Sequence, residues 1–214
     1  MKKIAIAVVL VGVLAISSTA AIGYMKEKIS FFNLGQEIKK ADDTADSAVA
    51  FIINGQEYKL KNYNIYKAGM QYGDSNFSDQ EIFDRYVKQK LLLQEANRLG
   101  ISVGKEEISA FTKQRMDLIN NDSTLKKQLE DYLDGAGISM DDYIKLSDEA
   151  SEQQLLYDKL VEVKKKDFPA ETLVETQDES GSIQKNMDLY ADQLRNEADI
   201  EIVDEQLKET VSIK

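Results

Sequence analysis

Three pairs of adjacent carboxylates, Asp42/Asp43, Glu106/Glu107 and Asp141/Asp142, are the side chains in this sequence best suited to chemistry. Two carboxylates can divide acid–base work or bind a hard cation. Two of the pairs fall in the first turns of predicted helices, where acids complement the helix dipole, and the third lies in a polar stretch. The structural reading is therefore preferred for all three. Asp131-Tyr132-Leu133-Asp134-Gly135 starts like a calcium loop but lacks the alternating acidic ligands and the distal Glu. Lys145 near Ser147 and Ser151 has the composition of a Ser–Lys dyad, a spacing common by chance on polar helix faces. Asn76-Phe77-Ser78 and Asn121-Asp122-Ser123 match the glycosylation triplet and read as turn and cap. The sequence has no histidine and no cysteine. That removes Ser-His-Asp and Cys-His catalysis, His- or thiolate-bound zinc, and disulfides. No catalytic residue, metal or cofactor is expected.

The 214 residues suffice for one domain with appendages. One proline and 11 glycines among many Lys, Glu, Gln, Leu and Ala favour helix over sheet. Only Lys2 and Lys3 are charged in residues 1–25, leaving 25 basic against 38 acidic side chains beyond, a net of −13. Such a balance argues against nucleic acid as a partner, since phosphate binding needs basic clusters.

Met1-Lys2-Lys3 precedes 22 uncharged residues, Ile4–Met25. As a helix these span about 33 Å, enough to cross a bilayer core. Two readings stand side by side: a signal-anchor transmembrane helix over 1–25, or a cleaved signal peptide with an apolar Ile4–Ile16 core and a Ser18-Thr19-Ala20 cleavage site. Both place the chain from Lys26 onward outside the cytoplasm, because Lys2 and Lys3 hold the N-terminus inside. Residues 26–47 read as a polar tether, in which Phe31-Phe32 and Leu34 sit at the membrane interface or begin a short helix.

The central element is Ser78–Gly100. Ser78 and Glu81 form a capping box, and Ile82, Phe83, Tyr86, Val87, Leu91, Leu92 and Ala96 recur at helical steps. Before it, Val49, Phe51 and Ile53 alternate up to Asn54-Gly55, and Tyr58 and Leu60 alternate after it, which predicts a hairpin. A short helix over Tyr63–Tyr72, capped by Asn62, links hairpin and central helix. Further helices are predicted over Lys105–Asn120, from Asp122 or Ser123 until Gly135-Ala136-Gly137 breaks it, from the Ser139 cap to about Lys166, and over Ile183–Glu197. Ile200–Val203 reads as a strand. Two strands alone are marginal, so it is predicted to pair with 48–53 and close the domain between its ends. Residues 204–214 read as a flexible tail, and Phe168–Ser182 as a polar loop.

The order of these pieces is more specific than any one of them. A strand ending in Asn-Gly is followed by Lys-Gln-Lys-Leu-Leu-Leu-Gln-Glu-Ala, then Leu-Gly-Ile-Ser-Val, then Gly-Ile-Ser-x-x-Asp-Tyr, and finally Leu-Arg-x-x-Ala-Asp-Ile-Glu-Ile. Together Val49–Gly55, Ile82–Val103, Gly137–Leu160 and Leu194–Ile202 resemble the N-terminal chaperone domain of SurA-like and PrsA-like exported foldases. The resemblance implies a mainly α, multi-helix domain over 48–203 with a small sheet. In that family a parvulin-type prolyl isomerase often sits before the last helix. Here only Lys164–Gln184 fill that place, too short for a domain that rarely stands alone below about 40 residues. The resemblance therefore implies a chaperone body without the isomerase, and it transfers no catalytic residue.

It further implies an ATP-independent, chaperone-like protein, tethered to the membrane, whose partners are unfolded or newly exported polypeptides. The alternatives are a dedicated partner-binding subunit at the membrane or, on the family's enzymatic label, a peptidyl-prolyl isomerase. Tyr66, Met70, Tyr72 and Phe77 are the candidate polypeptide-binding surface, since aromatic and Met side chains make adaptable contacts. The same residues can equally pack the hairpin onto the central helix.

Overall fold

In the computed structural model, residues 30–73, 76–168 and 179–213 are described. The predicted membrane helix or signal peptide over 1–25 lies outside them. Among the described residues no helix is long and apolar enough to cross a membrane.

The described chain is mainly helical, with one small sheet. The elements are α1 (Phe31–Asp42), β1 (Val49–Ile53), β2 (Gln56–Lys59), α2 (Leu60–Gly73), α3 (Asp79–Arg98) and α4 (Lys105–Asn121). Then come α5 (Ser123–Ala136), α6 (Met140–Lys164) with a 3₁₀ turn at Lys165–Asp167, α7 (Glu179–Glu197), β3 (Ile200–Ile202) and α8 (Glu205–Thr210).

The hairpin forms as expected. Asn54 (φ 51°) and Gly55 (φ 79°) both adopt left-handed backbone, the geometry that matches the twist of two tightly joined strands. β3 pairs antiparallel with β1, Phe51 opposite Ile202 and Ile53 opposite Ile200, giving the order β2-β1-β3. The chain ends of the domain therefore meet in one sheet. Phe51 lies beneath it, its ring centroid 5.5–5.8 Å from those of Tyr58, Tyr63, Phe83 and Tyr86. This aromatic cluster joins the sheet to α2 and α3.

α3 starts at the predicted capping box. The Ser78 hydroxyl accepts from the Glu81 N–H at 3.2 Å, and the Glu81 carboxylate accepts from the Ser78 N–H at 2.8 Å. Its apolar stripe is buried on several sides, against the sheet, α6 and α7.

Four expectations need correction. Residues 26–47 are not a plain tether: Ser30 caps α1, which buries Leu34, Gly35 and Ile38 against α5. The stripe looked too thin because part of the contact is backbone. A Cβ on Gly35 would lie 2.4 Å from the Tyr132 carbonyl oxygen, and one on Gly135 only 2.0 Å from that of Phe32. Gly135 therefore belongs inside α5 as a crossing point, and the helix ends instead at Gly137 (φ 66°). Residues 204–214 are not a free tail. Asp204 caps α8, Leu207 and Val211 are buried, and the Ser212 N–H donates to Gln80 at 2.8 Å. Finally, α2 begins at Leu60, directly from β2, without an Asn62 cap.

Three apolar clusters result. One unites α1, α5 and parts of α2, α4 and α6; the second lies under the sheet; the third joins the C-terminal halves of α3 and α6 to α7.

Candidate functional site

Of the four candidate surface residues, Tyr66, Met70 and Phe77 pack against the cluster under the sheet, and Tyr72 against the α1–α5 cluster. α2 is wedged between two clusters, and its neighbouring positions face different ways. Tyr72 packs on the α1–α5 side, and its hydroxyl donates to the Ser30 carbonyl at 2.8 Å. Met70 and Phe77 pack on the sheet side, with the Arg85 guanidinium 4.6 Å above the Phe77 ring. Tyr66 stacks edge-on against Tyr86 at 5.0 Å, and burial raises its phenol pKa. Of the four, only Tyr66 lines a groove of about 370 Å³.

That groove runs between three helices. α3 contributes Arg85, Lys88, Gln89, Leu92 and Leu93; α6 contributes Ala150, Gln153, Gln154 and Tyr157; α7 contributes Gln184, Asp188 and Ala191. Ala150 and Ala191 are small and leave the space open. Leu92 and Leu93 supply apolar lining, and four glutamines share the polar lining with the charged Arg85, Lys88 and Asp188. Gln184 donates to Asp188 at 2.8 Å, and Gln154 donates to Asp158 at 2.8 Å. The Gln89 Oε1 is buried with no donor. A polar atom in that state carries a free-energy cost.

Beside the groove α7 is held to α3 by apolar contacts of Leu92, Ala96, Met187 and Ala191 and by polar pairs. Arg195 donates to Asp84 at 2.5 Å, and Lys88 pairs with Asp192. At the far end the buried Glu95 accepts from Arg98 at 2.5 and 2.9 Å and from the Tyr190 hydroxyl at 2.5 Å. Lys164 lies 4.3 Å above the Tyr190 ring. The Arg98 hydrogen bonds, opposed by partial desolvation and helped by Tyr190, hold the Glu95 carboxyl down at about 2. On another flank of α3, Lys90 sits 4.7 Å over the Tyr86 ring. Burial lowers its pKa to about 8 despite the charge of Glu149.

The carboxylate pairs have structural roles. Asp42 pairs with buried Lys61 at 2.8 Å. Glu107 accepts from the Gly104 N–H at 2.9 Å and pairs with Lys159 at 2.8 Å. Asp142 accepts from the Ser139 hydroxyl at 2.7 Å. Ser147 and Ser151 are buried, bonded to Tyr143 and Thr112, whereas Lys145 is exposed. The geometry brings no Ser–Lys dyad together. Among the described residues no group of three or more His, Cys, Asp or Glu could hold a metal ion.

Reading the sequence missed the groove. Gln89, Gln153, Gln154 and Gln184 lie on three helices far apart in the chain, and none interrupts an apolar stripe. The one local signal is Gln153-Gln154, two amides together on the wall of a long helix.

Fold and site define a helical domain, closed by a small sheet joining its two ends and carrying an amphipathic groove. The chain belongs to the family of the SurA-like N-terminal domain, whose model matches residues 2–161. This is a chaperone-like family. No prolyl-isomerase domain is matched beside it. No curated protein and no solved structure matches the chain.

Proposed function

We propose that this is an exported, membrane-tethered protein that binds unfolded or newly translocated polypeptides without ATP. The observation that carries the reading is the groove beside Tyr66, in a domain of a chaperone-like family. Its lining mixes Leu, Ala and Tyr side chains with four amides and the charged Arg85, Lys88 and Asp188, which suits transient contact with chains of varied sequence. Binding is weak and multi-point, and release needs no chemical step. The apolar run Ile4–Met25 supports a membrane anchor, with the helical domain on the outer side.

The test is light scattering from a chemically unfolded model protein diluted into the full chain held in lipid nanodiscs. An inert acidic protein of similar charge serves as control. Delayed aggregation relative to the control is the expected result. No delay, with a single folded protein co-purifying from membranes at fixed stoichiometry, would replace this reading with that of a dedicated partner subunit. Retention in the membrane pellet after an alkaline wash checks the anchor, and a soluble, shortened chain would show cleavage instead.

A further inference from the structure

The groove between α3, α6 and α7 has a length, a floor and an unsatisfied group, and together these specify an occupant. Arg85 to Leu93 on α3 spans about 12 Å at ~1.5 Å per residue. An extended chain rises about 3.3 Å per residue, so roughly three or four residues fill that length. Leu92 and Leu93 offer apolar contact for side chains on one face of such a segment. Four of the lining residues, Gln89, Gln153, Gln154 and Gln184, are amides, which bind without demanding a charge. The Gln153 amide has no hydrogen-bond partner among the described residues, and the Gln89 Oε1 is buried without a donor.

From these features we infer that the groove takes a short extended polypeptide segment and that Gln89 reads its main chain, accepting a backbone N–H. This rests on the chaperone-like reading above and names the group recognised. A free main-chain N–H separates an unfolded segment from a folded protein, whose helices and strands already satisfy theirs. An amide acceptor therefore selects unfolded chain whatever its side chains are. Among the described residues the Gln89 Oε1 has no donor. Rotation of its terminal amide toward the occupant gives it one, so binding recovers a cost already present in the free protein.

The experiment uses the full chain in nanodiscs and a short fluorescein-labelled peptide alternating phenylalanine and serine, followed by fluorescence anisotropy. A second peptide has the same side chains with every backbone nitrogen methylated. Gln89→Leu is expected to bind the first peptide about fivefold to tenfold more weakly, the effect of one lost hydrogen bond. The methylated peptide should bind wild type and Gln89→Leu equally, both weakly. Gln89→Leu should also raise the melting temperature by about 2–4 °C, because it removes a buried unpaired oxygen. Weaker binding by a more stable protein is a combination that loss of structure does not produce. Leu93→Glu, which places a charge on the apolar lining, should abolish binding of the first peptide.

Equal affinity of wild type and Gln89→Leu for the first peptide would overturn main-chain reading at Gln89. Undiminished binding by Leu93→Glu would overturn the groove as the site. If either happens while the wild-type chain still delays aggregation, only this inference falls. If wild type neither binds peptide nor delays aggregation, the chaperone-like reading falls with it.

Discussion

The α1–α5 crossing and the α3–α7 interface are both apolar helix pairings, but the first adds direct backbone contact and the second adds polar pairs. At the first, Gly35 and Gly135 remove the side chains and let the backbones touch, with Leu34, Ile38, Tyr132 and Leu133 filling the flanks. No room remains. At the second, Asp84–Arg195, Lys88–Asp192 and Glu95–Tyr190 fix the helices at points along their length. Ala150 and Ala191 leave a groove beside those points. Close packing makes a rigid joint that neither salt nor acid should loosen. Polar pairs added to the apolar contact of Leu92, Ala96, Met187 and Ala191 make the second interface sensitive to ionisation.

The contrast can be broken most directly at Gly135. Gly135→Ala sets a methyl against the Phe32 carbonyl, where only backbone movement can make room, so a loss of about 3 kcal/mol is expected. Urea unfolding measures it; a change within about 0.5 kcal/mol of zero, the size of an ordinary surface substitution, would show that the crossing is loose.

Acid is the next probe, and it should act on the other interface. The Glu95 carboxyl is held at about 2 against an ordinary 4.5. A depressed folded value means its contribution is complete above about 4.5 and lost as pH falls through about 2. Stability should therefore drop by roughly 2–3 kcal/mol over that window because of this group, and Glu95→Gln should flatten that part of the profile. The Gly135→Ala protein should keep the same acid slope, since its defect lies elsewhere. An unchanged profile in Glu95→Gln would remove Glu95 from the account.

A smaller effect is expected at the domain's closing end. Asp204→Ala removes the cap of α8, where the carboxylate accepts from the Leu207 N–H at 3.0 Å, and should cost about 1 kcal/mol. Hydrogen exchange should show the loss first at residues 205–211, with α1 and α5 unaffected. The smallest effects belong to the groove wall itself. Lys88→Met breaks a partly exposed pair and should cost about 0.5 kcal/mol, less at high salt. Gln153→Ala should leave stability within about 0.5 kcal/mol of wild type. A large loss in Gln153→Ala would mean that the wall supports the fold, and the distinction between a packed joint and an open one would weaken.

The folded chain also separates what was legible in the sequence from what was not. The Ser78–Glu81 box, the Asn54-Gly55 hairpin and the Ser139 cap were all legible, and the start at Asp122 was legible to within one residue. In each, the deciding atoms lie within a few residues of one another. The pairing of β3 with β1 was legible for a global reason: a two-stranded hairpin needs another partner, and only one other strand was on offer. α1 was legible only as one of two readings, a short helix beginning at Phe31-Phe32, because one of its three buried residues is a glycine, and a glycine that packs looks the same in sequence as one that breaks a helix. α8 was missed because six residues give too little periodicity to register, and what holds them is burial of Leu207 and Val211 against the core under the sheet.

By itself, the sequence determined the helices with strong stripes and caps, the closing sheet, the lack of His and Cys chemistry and the family resemblance. These follow from residue type and from spacings of two, three or four positions, which chain geometry converts directly into faces and turns. Only the tertiary structure decided that Tyr72 packs apart from Tyr66, Met70 and Phe77, and that Gln89, Gln153 and Gln184 share one groove. Which side chains meet across helices depends on how those helices cross. That is set by close contacts such as Gly35 against Gly135 and by ion pairs such as Asp84 with Arg195, between residues 100 or more positions apart. No local pattern carries that information.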